Sequence, residues 1–212
     1  MKHLQSLDFS PSLTVYAFAA SASAQWFPCL SSLTLSFIKV SASQLKSLVS
    51  ACQMLESFSL SSAIVTSTDA HGTLHLTSSS LKSVKLEDMH LGIDGHPDVS
   101  SSVNLNLDRI ACLFPCLDHL SLGYTMVEDS LAVETQFGGC TVLEKVRFVE
   151  LWFPQPKLDY TIVILMGETL KRCPSLRKLQ LTSLHDSTVR REFMTSFVKL
   201  VRQFSHVDIQ FA

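Results

Sequence analysis

Charge is scarce in this 212-residue chain. Asp, Glu, Lys and Arg make up 17% of it, against about 25% in ordinary soluble domains. Serine fills the deficit in short runs such as Ser78-Ser79-Ser80. The formal net charge is −2, so no excess of one sign draws the chain to nucleic acid or to an acidic membrane. Glycine and proline number 7 each, too few for a collagen-like or disordered chain. Asparagine occurs only at 104 and 106, neither in an N-x-S/T acceptor, which argues against an extracellular protein. No apolar run approaches the roughly 18 residues that span a bilayer. A phosphate-cradling glycine loop and a G-x-S-x-G elbow are both missing, and the many serines have no positioned histidine. No enzyme, cofactor or metal is therefore expected.

With 46% apolar residues the chain can bury a substantial core. Lys2 and His3 precede SLTVYAFAA, and SASA stands before Gln25, as in a secretory leader. Asp8 and Pro11 interrupt that run, and residues 4–9 fit a repeat, so a leader is not the reading we take.

The repeat has the form L-x-x-L-x-L. It reads LQSLDF from Leu4, LSSLTL from Leu30, LESFSL from Leu55, LKSVKL from Leu81 and LDHLSL from Leu117. LEKVRF from Leu143, LRKLQL from Leu176 and FSHVDI from Phe204 complete the series. Subtracting start positions gives spacings of 26, 25, 26, 36, 26, 33 and 28 residues, within or just beyond the period of leucine-rich repeats. In each hexad the fourth and sixth residues point inward from a short strand and the residues between them point out. The stretches between hexads are amphipathic. SQLKSLVSAC places Leu45, Leu48 and Val49 on one helical face, and STVRREFMTSFVKLV does so with Val189, Phe193, Phe197, Leu200 and Val201. Lys171 and Arg172 favour a helix C-terminus just before Pro174. Residues 61–80 depart from this and predict an outer strand or loop.

The expected fold is α/β: one leucine-rich-repeat domain over 1–212, a horseshoe solenoid of about eight irregular repeats. Parallel strands would line the concave face near 4–9, 30–35, 55–60, 81–86, 117–122, 143–148, 176–181 and 204–209. Helices or extended segments would form the convex face.

All six cysteines lie shortly before a hexad. Cys52, Cys140 and Cys173 sit three residues ahead of their leucines, Cys29 and Cys116 one ahead, and Cys112 five ahead. Such recurrence predicts small apolar residues packed where the outer segment turns into the strand, and free thiols in a reducing compartment. Cys173 is expected to be buried and slow to alkylate. Cys112, Cys116 and His119 have loose metal-like spacing, but no second cluster completes a tetrahedral site.

The C-x-x-L-x-x-L-x-L form at Cys52, Cys140 and Cys173 resembles the cysteine-containing repeats of F-box leucine-rich-repeat proteins. LHLTSSSLKSVKLEDM at 74–89 is similar to the serine-rich irregular repeats of plant members. The resemblance implies a protein-recognition module of cytoplasmic or nuclear location, in which the repeats hold the substrate of a ubiquitin ligase. Ligase subunits would be partners only if an F-box is supplied elsewhere, because the first repeat begins at Leu4 and leaves no room for one. The chain looks like the recognition part of a larger protein, a truncated product, or a subunit paired at its ends. A small-anion or hormone sensor and an immune-receptor-type scaffold are the alternatives.

The outward hexad residues are the candidate contacts for a protein partner. Repeats one to three offer Ser6, Asp8, Ser32, Thr34, Ser57 and Ser59; later repeats offer Lys85, Glu87, His119, Lys145, Arg147, Lys178, Gln180, His206 and Asp208. Adjacent strands lie about 4.8 Å apart, which predicts Lys145 and Lys178 as neighbours with Arg147 beside them. Such a cluster suits a carboxylate or phosphate, though solvated strand residues are an equal reading. In the insertion 149–160, Trp152 and Phe153 could anchor a partner or fold over the core. His90, Asp94, His96 and Asp98 in the connection 87–102 are expected on a hydrated polar loop.

Overall fold

The computed structural model of the protein describes residues 4–9, 27–67, 76–87, 90–93, 96–102, 113–123, 142–153, 157–158, 160–183, 188–189 and 191–212. The chain falls into two compact units, Met1–Val103 with Leu113–Cys116, and Asn104–Cys112 with Leu117–Ala212. The repeat itself predicts one domain over 1–212. Stacked repeats touch only their neighbours, and the units divide within the longest spacing of the series.

In the first unit, strands β1 (Ser6–Phe9), β2 (Ser32–Ser36), β4 (Ser57–Ser61) and β6 (Ser83–Glu87) pair in parallel in that order. The alternation of the hexads produces them. Leu33, Leu35, Phe58, Leu60, Val84 and Leu86 point inward, at 6% exposure or less. The outer layer contains β3 (Lys39–Ser41), β5 (Ile64–Ser67) and β7 (His90–Ile93), parallel to one another, with β8 (His96–Ser102) antiparallel to β7. Helix α1 (Ala42–Ala51) starts at a reciprocal cap: the Gln44 amide donates to Ser41 Oγ at 3.2 Å, and the Ser41 amide to Gln44 Oε1 at 3.0 Å. Leu45 and Val49 of α1 are buried and Leu48 is half-buried.

The connection expected to hold a polar loop is instead the β7–β8 hairpin, with His90 opposite Ser102 and His96 opposite Ile93. Antiparallel pairing satisfies the backbone of this polar stretch. Asp94 lies outside the described residues.

In the second unit β9 (His119–Gly123), β10 (Phe148–Phe153), β12 (Lys178–Ser183) and β14 (Asp208–Phe211) pair in parallel. Helices α2 (Tyr160–Arg172) and α3 (Arg191–Gln203) form most of its outer layer, with a short pair β11 (Lys157–Leu158) and β13 (Thr188–Val189). Ile162, Leu165, Met166 and Leu170 of α2 and Phe193 and Leu200 of α3 face the core. Phe197 and Val201 are half-buried, and Val189 belongs to β13 rather than to the helix. Helix α2 ends at Arg172, and the Cys173 amide still donates to the Thr169 carbonyl at 3.0 Å.

The backbone bonds fix the repeat register. In five repeats the carbonyl of the hexad's second residue accepts two amides from the next repeat. Gln5 accepts Ser31 and Ser32, Ser31 accepts Glu56 and Ser57, and Glu56 accepts Lys82 and Ser83. In the second unit Asp118 accepts Arg147 and Phe148, and Arg147 accepts Arg177 and Lys178. Arg147 and Phe148 are therefore second and third residues, and that hexad is VRFVEL from Val146, not LEKVRF from Leu143. The final strand begins at Asp208, opposite Lys178, so His206 sits in the preceding turn instead of on the sheet. Apolar residues at 143, 146, 148, 149 and 151 satisfy the motif in two frames, which is why the pattern alone chose the wrong one. Counting from the third residues, the spacing is 26, 25 and 26 across Ser6, Ser32, Ser57 and Ser83, then 29, 30 and 30 across His119, Phe148, Lys178 and Asp208. The second unit's helices have 13 residues each against 10 in α1, in keeping with its longer period.

A turn precedes five of the strands, closed by an amide three residues on: Leu30 to Phe27, Leu55 to Cys52, Val146 to Leu143, Leu176 to Cys173 and Val207 to Phe204. Cys52 and Cys173, each 1% exposed, thus share a position with Phe27, Leu143 and Phe204. The role is packing. Cys29 does not share it and is exposed, and Cys116 is half-buried; Cys112 and Cys140 lie outside the described residues. Burial pushes the Cys173 thiol up to about 12 from 9.0, with Arg172 pulling weakly the other way. Its contribution to stability is complete below pH 9.0 and is lost as the pH rises through about 12. Iodoacetamide at about pH 8 is expected to modify Cys29 quickly and leave Cys173 untouched in the folded protein. Mass mapping that finds Cys173 labelled as fast as in the urea-unfolded chain would contradict this.

Candidate recognition surface on the strand face

Residues that alternate away from the core form rows across each sheet. In the first unit one row is serine throughout: Ser6, Ser32, Ser57 and Ser83 stand opposite one another. The next row is Asp8, Thr34, Ser59 and Lys85, and the third includes Ser36, Ser61 and Glu87. This face is small and hydroxyl-rich. Its charges on β6 pair with each other, Lys85 Nζ lying 3.0 Å from Glu87 Oε1.

The second unit is different in kind. Its first row is His119, Phe148, Lys178 and Asp208. The rings of His119 and Phe148 meet edge to face with centroids 4.2 Å apart, a favourable aromatic geometry. The Lys178 ammonium stands 5.4 Å from the Phe148 centroid on the other side, within cation–π range. The second row is Ser121, Glu150, Gln180 and Gln210, and the third holds Gly123, Trp152 and Thr182.

Glu150 lies at the centre of these rows. Ser121 donates its hydroxyl to Glu150 Oε2 at 3.0 Å, and Thr182 donates to Oε1 at 3.2 Å. The carboxylate is thus held from the strands on both sides, with Phe148 and Trp152 two residues before and after it on the same face. Ser121 is only 1% exposed, whereas Glu150, Phe148, Trp152, Lys178, Gln180 and Thr182 are half-buried. The sheet holds these half-buried aromatic and charged groups in fixed positions on one face.

Of the residues expected to make contacts, the structure brings His119, Lys178, Gln180 and Asp208 onto this face, with Gln210 Nε2 donating to Asp208 Oδ2 at 2.7 Å. It separates the anticipated cation cluster. Arg147 is one residue ahead of the strand, where Nη2 donates to Asp118 Oδ2 at 2.8 Å and Nε donates to Oδ1. Those hydrogen bonds hold the Asp118 carboxyl below its ordinary value. Lys145 sits in the exposed turn before it. The register places Phe148, not Lys145, opposite Lys178. Lys85 and Glu87 belong to the first unit's face, and His206 is exposed in its turn. Trp152 and Phe153 lie on β10 rather than in an insertion.

Phe148, Glu150, Ser121 and Thr182 were missed by sequence reasoning, the first two through the three-residue frame shift at β10. Balanced spacing to the flanking hexads marks that strand: Val146 lies 29 residues after Leu117 and 30 before Leu176, against 26 and 33 for Leu143. Among the described residues no group of three or more His, Cys, Asp or Glu could hold a metal ion, and no helix is long and apolar enough to cross a membrane.

Comparison with known proteins agrees with the repeat. Residues 1–96 match the family model described as FBD-associated F-box protein At5g56370, LRR repeats. The F-box/LRR-repeat protein At1g67190 of Arabidopsis thaliana is 27% identical over 275 aligned positions. That alignment covers 88% of this chain and 65% of the relative, so the chain spans just under two thirds of the length of the curated relative it matches. The likeness to the leucine-rich-repeat region of plant F-box/LRR proteins, first carried by the cysteine-marked hexads, is thereby supported by both matches. Neither match indicates a catalytic family.

Proposed function

We propose that the chain is a protein-recognition module and that a partner docks on the outward strand face of the second unit. The observation that carries this is the half-buried group of Phe148, Glu150, Trp152 and Lys178, placed on one face by the register of β10 and β12. Aromatic side chains flanked by fixed polar groups are the usual energetic centre of protein contacts. By analogy with the F-box/LRR proteins it resembles, the chain would supply substrate contacts for a ubiquitin ligase. Ligase subunits would enter through an F-box on the same or another polypeptide. The free thiols at Cys29, Cys52 and Cys173 favour a reducing cytoplasmic or nuclear setting. We favour this reading over the anion-sensing alternative because the cations of that alternative are spread apart, with Arg147 on Asp118 and Lys178 over Phe148.

Affinity capture with the full chain, repeated with Phe148→Ala, tests this proposal. A hot-spot truncation costs about 2 kcal/mol or more, a loss of about thirtyfold in affinity for the captured partner. Ser59→Ala, on the first unit's face, should leave that affinity unchanged. Equal binding by the wild type and Phe148→Ala, with both folded by circular dichroism, would rule this surface out.

A further inference from the structure

We infer that the site formed by Glu150 and Trp152 receives an arginine side chain of the partner. The inference rests on the recognition role proposed above and names its chemistry.

A carboxylate offers about four acceptor positions. The Ser121 and Thr182 hydroxyls occupy one on each oxygen, at 3.0 and 3.2 Å. Both donors are neutral, so they fix the group's orientation without offsetting its charge. A second donor aimed at each oxygen from outside matches the two-pronged geometry of guanidinium.

The surroundings favour the same ligand. Phe148 and Trp152 flank Glu150 on the same strand face, each about 6.6 Å along the strand. Lys178 already uses the Phe148 ring, at 5.4 Å, and so demonstrates that this surface accepts a cation over an aromatic group. Trp152 provides a second, stronger ring of that kind. Guanidinium combines stacking on an indole with bidentate bonding to a carboxylate, which an ammonium cannot do. Gln180, directly opposite Glu150, adds a neutral amide able to bond the partner backbone. The acid is held rigidly before binding, so little ordering is left to be done when the ligand arrives.

The test uses the full chain and two capped tripeptides, acetyl-Gly-Arg-Gly-amide and its citrulline counterpart, which has the same shape without the charge. The indole ¹⁵N–¹H signal of Trp152, assigned with Trp152→Phe, reports binding at millimolar peptide. The arginine peptide is expected to shift that signal, with the citrulline peptide binding about tenfold or more weakly. Glu150→Gln, checked for unchanged thermal unfolding, is expected to weaken the arginine peptide by a similar factor. Equal shifts from both peptides, no shift from arginine, or an unaffected Glu150→Gln would each overturn the inference. If the arginine probe fails while Phe148→Ala still abolishes partner capture, only the cation assignment falls. If Phe148→Ala has no effect, the recognition surface itself falls.

Discussion

Phe58→Ala is expected to lower the stability of the first unit by about 3–5 kcal/mol. Phe58 is fully buried at the fourth hexad position of β4, with Leu33 and Val84 beside it on the neighbouring strands. Both neighbours belong to a parallel sheet whose backbone is bonded on each side of β4, so the lining can collapse only partly into the space left by the ring. A domain of this size has about 5–15 kcal/mol in total, and the substitution removes a large share of it. Phe37 supplies the internal comparison: it is 64% exposed, one residue beyond β2, and Phe37→Ala should change stability by no more than about 0.5 kcal/mol. Urea unfolding followed by far-ultraviolet circular dichroism reads both. Similar midpoints for the two variants would mean that the fourth hexad residues do not build the core.

What could be read in advance depended on how many frames a stretch allows. Helix α1 was legible because Leu45, Leu48 and Val49 recur at helical spacing. The first unit's strands were legible for the same reason: Ser32–Ser36 and Ser57–Ser61 alternate strictly, with serine or threonine outward and Leu or Phe inward. The end of α2 was marked by Lys171, Arg172 and Pro174.

The stretch from Leu143 to Leu151 was ambiguous, since it is apolar at five positions and satisfies the hexad twice. Choosing the earlier frame turned Phe148 inward, moved Lys145 and Arg147 to the contact face, and left Trp152 and Phe153 in an apparent insertion. One displaced register therefore hid most of the site. His119, Lys178 and Gln180 were found because their own hexads were unambiguous. The last repeat failed for a different reason. Val207 closes the pre-strand turn on Phe204, as Leu176 does on Cys173, but only one residue then separates it from the position opposite Leu179. A shortened repeat of this kind has no signature in an apolar pattern. The outer hairpin β7–β8, rich in serine and broken by Pro97, offered no alternation to follow.

The second large effect tests that register. Val149→Asp is expected to unfold the second unit or to cost more than about 4 kcal/mol, because it places an unpaired carboxylate at a fully buried position between Leu120 and Leu179. Phe148→Asp, one residue earlier, puts the same charge on the half-buried outward face opposite Lys178 and should cost about 1 kcal/mol, mainly through lost ring contacts. Neighbouring strand residues differ this sharply because side chains alternate between the two faces. The earlier frame makes the opposite forecast, with Phe148 inside and Val149 beyond the hexad.

The candidate recognition surface exists only if Phe148, Glu150 and Trp152 share the outward face. The most direct test is therefore the urea midpoint of Val149→Asp compared with that of Phe148→Asp in the full chain. A severe loss at 149 with a near-normal transition at 148 is the predicted result. A severe loss at 148 with a near-normal transition at 149 would contradict the register and remove the surface built on it.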